Sequence, residues 1–170
     1  FSTKSSSIGH YNNFLTELII IFGMLAASLP FTLYITCFRK NFTNLFDSQV
    51  LLFFSLIIFF VLSIAIWIHL NNNINIFLAL RLSLFNSISI MTGTGYSTEN
   101  FSNWGYFANT MFLIMMLIGG CSGSTTGGLK IFRIQVLWAL VIKELKTIRS
   151  PRTISNTNLK NININDNIIN

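Results

Sequence analysis

The stretch Thr92-Gly93-Thr94-Gly95-Tyr96-Ser97 decides the fold of this chain, because it interrupts a strongly apolar sequence with two glycines and several hydroxyl side chains. It directly follows a short apolar stretch, residues 74–91, which contains Arg81. A membrane-spanning helix needs roughly 20 apolar residues, and shorter stretches are more often re-entrant or interfacial. The pattern therefore predicts a short helix that dips into a membrane and ends at a glycine-rich turn.

The composition around this stretch indicates an integral membrane protein. Of the 170 residues, 52% are hydrophobic and only 9% are charged, whereas soluble domains carry about 25% charged residues. Apolar stretches at residues 14–38 and 49–70 predict two membrane spans, the first of them kinked at Pro30. Residues 104–118 and 129–148 predict a further span that is broken in its middle.

The chain has a net charge of +6, and its basic residues cluster just after apolar stretches. Lys and Arg beside a membrane span remain on the cytoplasmic side and so set the orientation of the helix. Both clusters of basic residues lie on the same side of the membrane if the short helix enters and leaves the membrane from one side. Nucleic-acid binding is disfavoured, because no aromatic side chains are interleaved with the charges as in nucleic-acid grooves. The basic residues concerned are Arg39, Lys40, Lys143, Lys146, Arg149 and Arg152.

Enzyme chemistry is not predicted. The chain has five acidic residues, two histidines and two cysteines, and their positions form no Ser/His/Asp set, carboxylate pair or metal-binding spacing. His69 lies at the end of a predicted span without an acidic neighbour, and is interpreted as solvated. Cys37 and Cys121 are far apart in apolar sequence and are predicted to be buried thiols.

The turn after the short helix has the parts of a potassium filter. A dehydrated K⁺ ion needs oxygen ligands, which backbone carbonyls supply without placing charge in the membrane. Glycine permits the backbone angles that aim carbonyls into a pore, Thr adds a hydroxyl, and an aromatic side chain can pack behind. The filter prediction, with K⁺ as its only metal ion, covers Thr92, Gly93, Thr94, Gly95 and Tyr96; a plain turn between helices is the alternative.

A second glycine-rich stretch divides the last predicted span. A phosphate-binding loop requires Gly-Lys-Ser/Thr after a strand, but here Leu129 separates Gly128 from Lys130. The favoured interpretation is an unwound part of a pore-lining helix that moves aside as a gate, and a passive kink is the alternative. The predicted gating loop consists of Gly119, Gly120, Cys121, Ser122, Gly123, Ser124, Thr125, Thr126, Gly127 and Gly128.

Three segments together closely resemble the membrane subunit of bacterial Trk/Ktr-type potassium uptake transporters. They are Met91-Thr-Gly-Thr-Gly-Tyr-Ser-Thr98, Asn100-Phe-Ser-Asn-Trp104 and Ile118-Gly-Gly-Cys-Ser-Gly-Ser-Thr-Thr-Gly-Gly-Leu-Lys130, followed by Arg133. The opening Phe1-Ser-Thr-Lys is also similar to the tail of the filter that precedes in that family. The long glycine-rich string is the most specific of these marks.

The resemblance implies an all-α integral membrane fold, built in the family from four span–pore helix–span repeats around one pore. Residues 1–46 then end the second repeat, residues 47–152 form the third, and residues 153–170 are an Asn/Ile-rich tail expected to be disordered. The family works in the cell inner membrane as a homodimer with a cytoplasmic nucleotide-binding ring subunit. It transports K⁺, and no bound cofactor is implied for this chain.

One repeat cannot enclose a pore, because four filter segments must converge. We therefore expect the chain to contribute one quarter of the filter and the gating loop, in association with the remaining repeats and the lipid bilayer. The alternative is a truncated or split-gene remnant without transport activity and with only a structural role in the membrane.

Overall fold

The computed structural model describes residue 4 and residues 7–39, 47–149, 158–159 and 162–163. The sequence expectations for Phe1-Ser-Thr, Lys40 and Arg152 lie outside the described residues, as does most of the expectation for the tail. Within that tail, β1 (Asn158–Leu159) pairs antiparallel with β2 (Ile162–Asn163).

Six α-helices make up the described fold, so the all-α prediction is confirmed apart from the two short strands. The 3-10 helices Ser7–His10 and Phe101–Trp104 add one turn each. The α-helices are α1 (Phe14–Ser28), α2 (Phe31–Phe38), α3 (Ser48–Asn72), α4 (Ile76–Met91), α5 (Tyr106–Leu117) and α6 (Ile131–Arg149).

Helix α3 is the described helix that is long and apolar enough to cross a bilayer without a break. Its 25 residues extend about 37 Å at 1.5 Å per residue, against a hydrocarbon thickness of about 30 Å. Its bounds agree with the predicted span at residues 49–70.

The predicted kink at Pro30 is a bend of 95° between α1 and α2, so residues 14–38 form two helices instead of one. Proline has no N–H to donate and disfavours the helical conformation in the residue before it. Leu29 accordingly adopts an extended conformation, with φ −83° and ψ 155°. If the bent pair is counted as one broken span, the described residues contain two candidate spans.

Helix α4 is the short helix predicted before the glycine-rich turn. Its 16 residues extend about 24 Å, less than the thickness of the bilayer core. It packs against α1, α3 and α5, and its second half is buried on all sides, from Phe85 to Ser89. A short helix surrounded by protein on every face is what a re-entrant pore helix requires.

The chain divides into two compact units, residues 1–131 and residues 132–170. The first contains α1 to α5 and the glycine-rich loop between α5 and α6. The second contains most of α6, whose last turn carries Lys146 and Arg149, together with β1 and β2. Basic residues in the last turn of a helix interact favourably with its dipole.

Candidate functional site

The predicted filter begins where α4 ends. Two backbone N–H groups of the turn, those of Thr94 and Gly95, donate to the carbonyl of Ser89 at 3.0 and 3.4 Å and fold the chain back on the helix. Gly93 and Gly95 have φ of +71° and +78°, in the left-handed region that L side chains resist. Both glycines are therefore required by the path of the backbone.

The oxygen atoms of this turn are available to a ligand. No backbone N–H among the described residues donates to the carbonyls of residues 93–96, and Gly93, Thr94 and Gly95 are exposed. The hydroxyl of buried Thr92 lies 2.8 Å from that of Thr94, and the Tyr96 side chain packs against the hydrophobic core. Free carbonyls at the end of a buried short helix can replace water around a cation.

Asn86 holds the chain that leaves the turn. Its Nδ2 donates to the carbonyl of Leu82 at 2.8 Å and to Oγ1 of Thr98 at 2.9 Å, and its Oδ1 accepts from the Thr98 N–H at 3.4 Å. Asn86 is only 1% exposed. The role of Asn86 was not predicted from the sequence, although an asparagine within a mainly apolar helix is a signal for a buried polar contact.

The N-terminal 3-10 helix lies against the same departing chain. The N–H groups of Ile8 and Gly9 donate to the carbonyl of Ser97 at 3.1 and 3.2 Å, and the Ser97 N–H donates to Oγ of Ser7 at 3.3 Å. A Cβ on Gly9 would lie 2.1 Å from the carbonyl oxygen of Thr98. Only glycine allows this approach between the two segments.

An ion pair anchors α4 to α1. Arg81 donates from Nε and Nη2 to the two carboxylate oxygens of Glu17, at 2.7 and 2.9 Å, and its guanidinium lies 5.5 Å from the centroid of the Phe14 ring. Glu17 is only 5% exposed. Such bidentate pairs fix geometry as well as charge.

The glycine-rich loop caps the broken end of α1. The last four carbonyls of a helix lack partners within it, and in α1 the loop satisfies two of them. The Cys121 N–H donates to the carbonyl oxygen of Ser28 at 3.2 Å. The N–H and the Oγ1 hydroxyl of Thr125 both donate to the carbonyl oxygen of Ala27, at 3.3 and 3.0 Å. The Phe31 N–H, at the start of α2, donates to the carbonyl of Gly123 at 3.1 Å.

The other two end carbonyls of α1 are satisfied locally, by the Ser28 hydroxyl on Leu25 and by the Tyr34 hydroxyl on Ala26. The break at Leu29–Pro30 is therefore fully bonded only while the loop is in place. Unpaired backbone groups cost several kcal/mol each in lipid.

Glycines let the two ends of the loop approach each other. The Gly119 N–H donates to the carbonyl of Leu129 at 2.9 Å, and the Leu129 N–H donates to Leu117 at 3.0 Å. A Cβ on Gly119 would lie 2.0 Å from the carbonyl oxygen of Gly127. Gly128 has φ +74°, so a larger residue there would be strained.

The backbone N–H groups of the loop are used by the protein itself. Those of residues 119–122, 124 and 125 all donate to protein acceptors, including Oε1 of Gln49 at 3.2 Å from Ser122. These six N–H groups are therefore not available to a phosphate. Within the loop Gly119, Gly120, Cys121 and Thr126 are buried, Ser124 is half-buried, and Ser122, Gly123, Thr125, Gly127 and Gly128 are exposed.

The structure brings the two predicted stretches together. A Cβ on Gly93 would lie 3.9 Å from the backbone nitrogen of Gly127, so the loop touches the turn at the end of α4. His69, by contrast, lies at the end of α3, where its Nδ1 bonds to the carbonyl of Ile74 at 2.7 Å.

A short helix that ends at a turn with exposed carbonyls is typical of membrane proteins that conduct cations. The chain belongs to the TrkH family of cation transport proteins, which it matches over residues 1–170. This membership confirms the predicted family, its multi-pass membrane location and the prediction that the chain is not an enzyme.

Curated relatives and a solved structure agree with this family. The potassium uptake protein TrkI of Halomonas elongata is 39% identical over 72% of this chain and 25% of its own length. TrkG of Escherichia coli K12 is 32% identical over 94% of this chain and 33% of its own length. The crystal structure of the potassium transporter TrkH from Vibrio parahaemolyticus matches with a TM-score of 0.85 and 27% identity, over 94% of this chain and 35% of that one.

The chain thus spans between a quarter and about a third of the length of these relatives. The agreement with the TrkH structure covers nearly all of the chain, so the helices described above correspond to one part of a larger fold.

Proposed function

We propose that this chain supplies one segment of the ion filter and the gating loop of a Trk-type potassium uptake transporter. Residues 92–96 bind dehydrated K⁺ together with filter segments of the remaining repeats, and residues 119–128 open and close the path beside them. The family resemblance adds a bacterial inner membrane, a homodimer and a cytoplasmic nucleotide-binding subunit to this proposal. The relatives named above are potassium uptake or transport proteins, which supports K⁺ as the ion.

The observation that carries the filter assignment is the backbone of residues 93–96. Two left-handed glycines and carbonyls without backbone donors follow a helix whose C-terminal, negative end faces the turn. A plain turn between helices does not require exposed carbonyls beside a buried helix. This arrangement favours a cation over water or lipid at that position.

The gating assignment follows from how the loop is held. Its contacts with the break between α1 and α2 are hydrogen bonds to backbone groups, which water can replace. A passive kink would not need to reach from α5 to another helix. Both stretches contain the glycines that their geometry requires, which disfavours an inactive remnant.

The test is uptake of Rb⁺ by a chimera in which this chain replaces the matching third of Escherichia coli TrkG. The chimera is expressed in an E. coli strain without its own potassium uptake systems. Gly95→Ala forces a side chain into the left-handed region, a strain of roughly 1–3 kcal/mol. We expect a loss of Rb⁺ uptake of about tenfold or more, since 1.4 kcal/mol corresponds to a factor of ten.

Gly23→Ala is the matched control, because a Cβ there meets no atom within 4 Å and the residue lies within helix α1. It is expected to keep full uptake. Equal uptake by the Gly95→Ala variant and the unsubstituted chimera, with selectivity against Na⁺ unchanged, would contradict the filter assignment.

A further inference from the structure

Lys130, two residues after the loop, places its ammonium group among oxygen atoms of the loop. Nζ lies 3.3 Å from the carbonyl oxygen and 3.5 Å from Oγ of Ser124. It also lies 3.1 Å from Oγ1 of Thr126 and bonds to the carbonyl oxygen of Thr126. Two residues of the loop therefore surround one cation with four oxygens.

The hydrogen-bond network shows why these oxygens face a cation. A hydroxyl has one proton to donate and two lone pairs. The Ser124 hydroxyl donates its proton to the carbonyl oxygen of Cys121, at 2.6 Å. The 2.8 Å hydrogen bond between the hydroxyls of Ser124 and Thr126 must therefore use the proton of Thr126. Oγ1 of Thr126 also accepts from the Gly120 N–H at 2.9 Å. Each hydroxyl has one lone pair left, and Lys130 takes it.

The charge of Lys130 is balanced within the loop by dipoles alone. Residues 119–128 contain no Asp or Glu, and among the described residues the ammonium bonds to carbonyl and hydroxyl oxygens. This is the same kind of ligand shell that replaces water around a dehydrated K⁺ ion. A primary ammonium and K⁺ carry equal charge, and both accept several neutral oxygens as neighbours.

The position of this oxygen shell connects it to the candidate filter. Thr126 is 7% exposed, and the next residue, Gly127, is the one that touches Gly93. An ion that leaves the turn on this side would meet the shell held by Lys130.

We propose that Ser124 and Thr126 form a second binding site for a dehydrated monovalent cation of the size of K⁺, and that Lys130 occupies it as a tethered cation. When Lys130 withdraws, K⁺ takes its place and holds the loop in the same conformation. The site itself depends only on the loop; its consequence for transport rests on the proposed gating role.

Cys121 provides a reporter for this site, because it is fully buried in the loop and its carbonyl accepts the Ser124 hydroxyl. The reaction rate of its thiol with a maleimide is measured in the purified TrkG chimera described above. Cys37 and the cysteines from TrkG are replaced by serine. Each variant is measured in chloride salts of K⁺, Rb⁺, Na⁺ and N-methylglucamine.

Lys130→Met removes the ammonium and keeps the length of the side chain. In this variant we expect labelling in N-methylglucamine to be about tenfold faster than in K⁺ or Rb⁺, the ratio reached when the ion is present at roughly ten times its dissociation constant. Na⁺, which is smaller, protects less. The Lys130 form labels slowly in every salt, and it also controls for any effect of K⁺ bound at the filter.

Thr126→Val combined with Lys130→Met removes a hydroxyl ligand at nearly constant shape, and it is expected to abolish the protection by K⁺. Equal labelling of Lys130→Met in K⁺ and N-methylglucamine overturns the site, and equal protection by Na⁺ overturns its size selectivity. Rb⁺ uptake is measured in parallel and is expected to rise in the double variant, in which neither Lys130 nor a bound cation holds the loop. Unchanged uptake in the double variant, with intact cation-dependent labelling of Lys130→Met, refutes the gating role while leaving the site in place.

Discussion

The two glycine-rich stretches of this chain differ in what holds them. The turn at residues 92–96 is bonded to the helix that precedes it, through Ser89, and its departing chain is bonded to Asn86 of the same helix. The loop at residues 119–128 is bonded within itself and also to distant parts of the chain, at the break between α1 and α2 and at Gln49. The turn is thus shaped by neighbouring residues, whereas the loop is docked against helices that are distant in sequence.

This difference separates selectivity from gating. A turn fixed by its own helix keeps its carbonyl positions while other helices move, provided that α4 itself stays in place. A docked loop can leave and return, because the hydrogen bonds that hold it to the break between α1 and α2 and to Gln49 join parts of the chain far apart in sequence. Regions that move in function come from the less stable part of a protein. Substitutions that affect the turn should therefore change which ion passes, and those that affect docking should change how often the path is open.

The largest effect, a loss of stability, is expected when the ion pair between Glu17 and Arg81 that anchors α4 to α1 is broken. Glu17→Gln leaves the Arg81 guanidinium without its carboxylate, and breaking a buried ion pair costs roughly 3–5 kcal/mol. Because the Arg81 side chain is 27% exposed, we expect the free energy of unfolding to fall by an amount near the lower end of that range. The measurement is the thermal denaturation of the TrkG chimera in detergent, together with its selectivity for Rb⁺ over Na⁺.

Its control is the double substitution Glu17→Met and Arg81→Met. Replacing both partners by apolar groups of similar size is often neutral, so stability should return toward that of the unsubstituted chimera. If the double substitution were as destabilising as Glu17→Gln alone, the loss would not arise from an unpaired buried charge.

A smaller effect is expected where the loop docks. A Cβ on Gly120 would lie 2.6 Å from Oγ1 of Thr126 and 3.0 Å from the carbonyl oxygen of Ser28, whereas a Cβ on Gly127 would meet no atom within 4 Å. Overpacking of this kind costs about 1–3 kcal/mol. Gly120→Ala should therefore loosen the docked loop and raise Rb⁺ uptake by about tenfold, with selectivity unchanged.

Gly127→Ala is the matched control in the same loop, and we expect it to leave uptake within about twofold of the unsubstituted chimera. Higher uptake in both variants would mean that loss of a glycine, and not the contact with Ser28, loosens the loop. Reduced selectivity in Gly120→Ala would contradict the separation between the two stretches.

The sequence predicted the elements and missed the contacts that fix them. Apolar stretches and glycine clusters located α3, α4, the turn and the loop to within a few residues, because the length of a span and the conformational freedom of glycine act locally. The pairing of Glu17 with Arg81 joins residues 64 positions apart, and the capping of α1 by the loop joins residues 98 positions apart. No local pattern encodes such partners. The bend at Pro30 was predicted in position but not in size.

The smallest effect is expected at Gln49, the other anchor of the loop. Gln49→Met removes the acceptor of the Ser122 N–H and keeps the shape of the side chain, and one neutral hydrogen bond contributes about 0.5–1.5 kcal/mol. Because Ser122 is exposed, water can replace the lost acceptor, so Rb⁺ uptake should rise by only roughly twofold to threefold. Combined with Gly120→Ala, the substitution should add less than its separate effect, because a loop already loosened at the α1 break no longer uses the Gln49 contact. Additive effects would instead mean that the two ends of the docked loop open independently, and that the loop is two hinged parts with separate contacts.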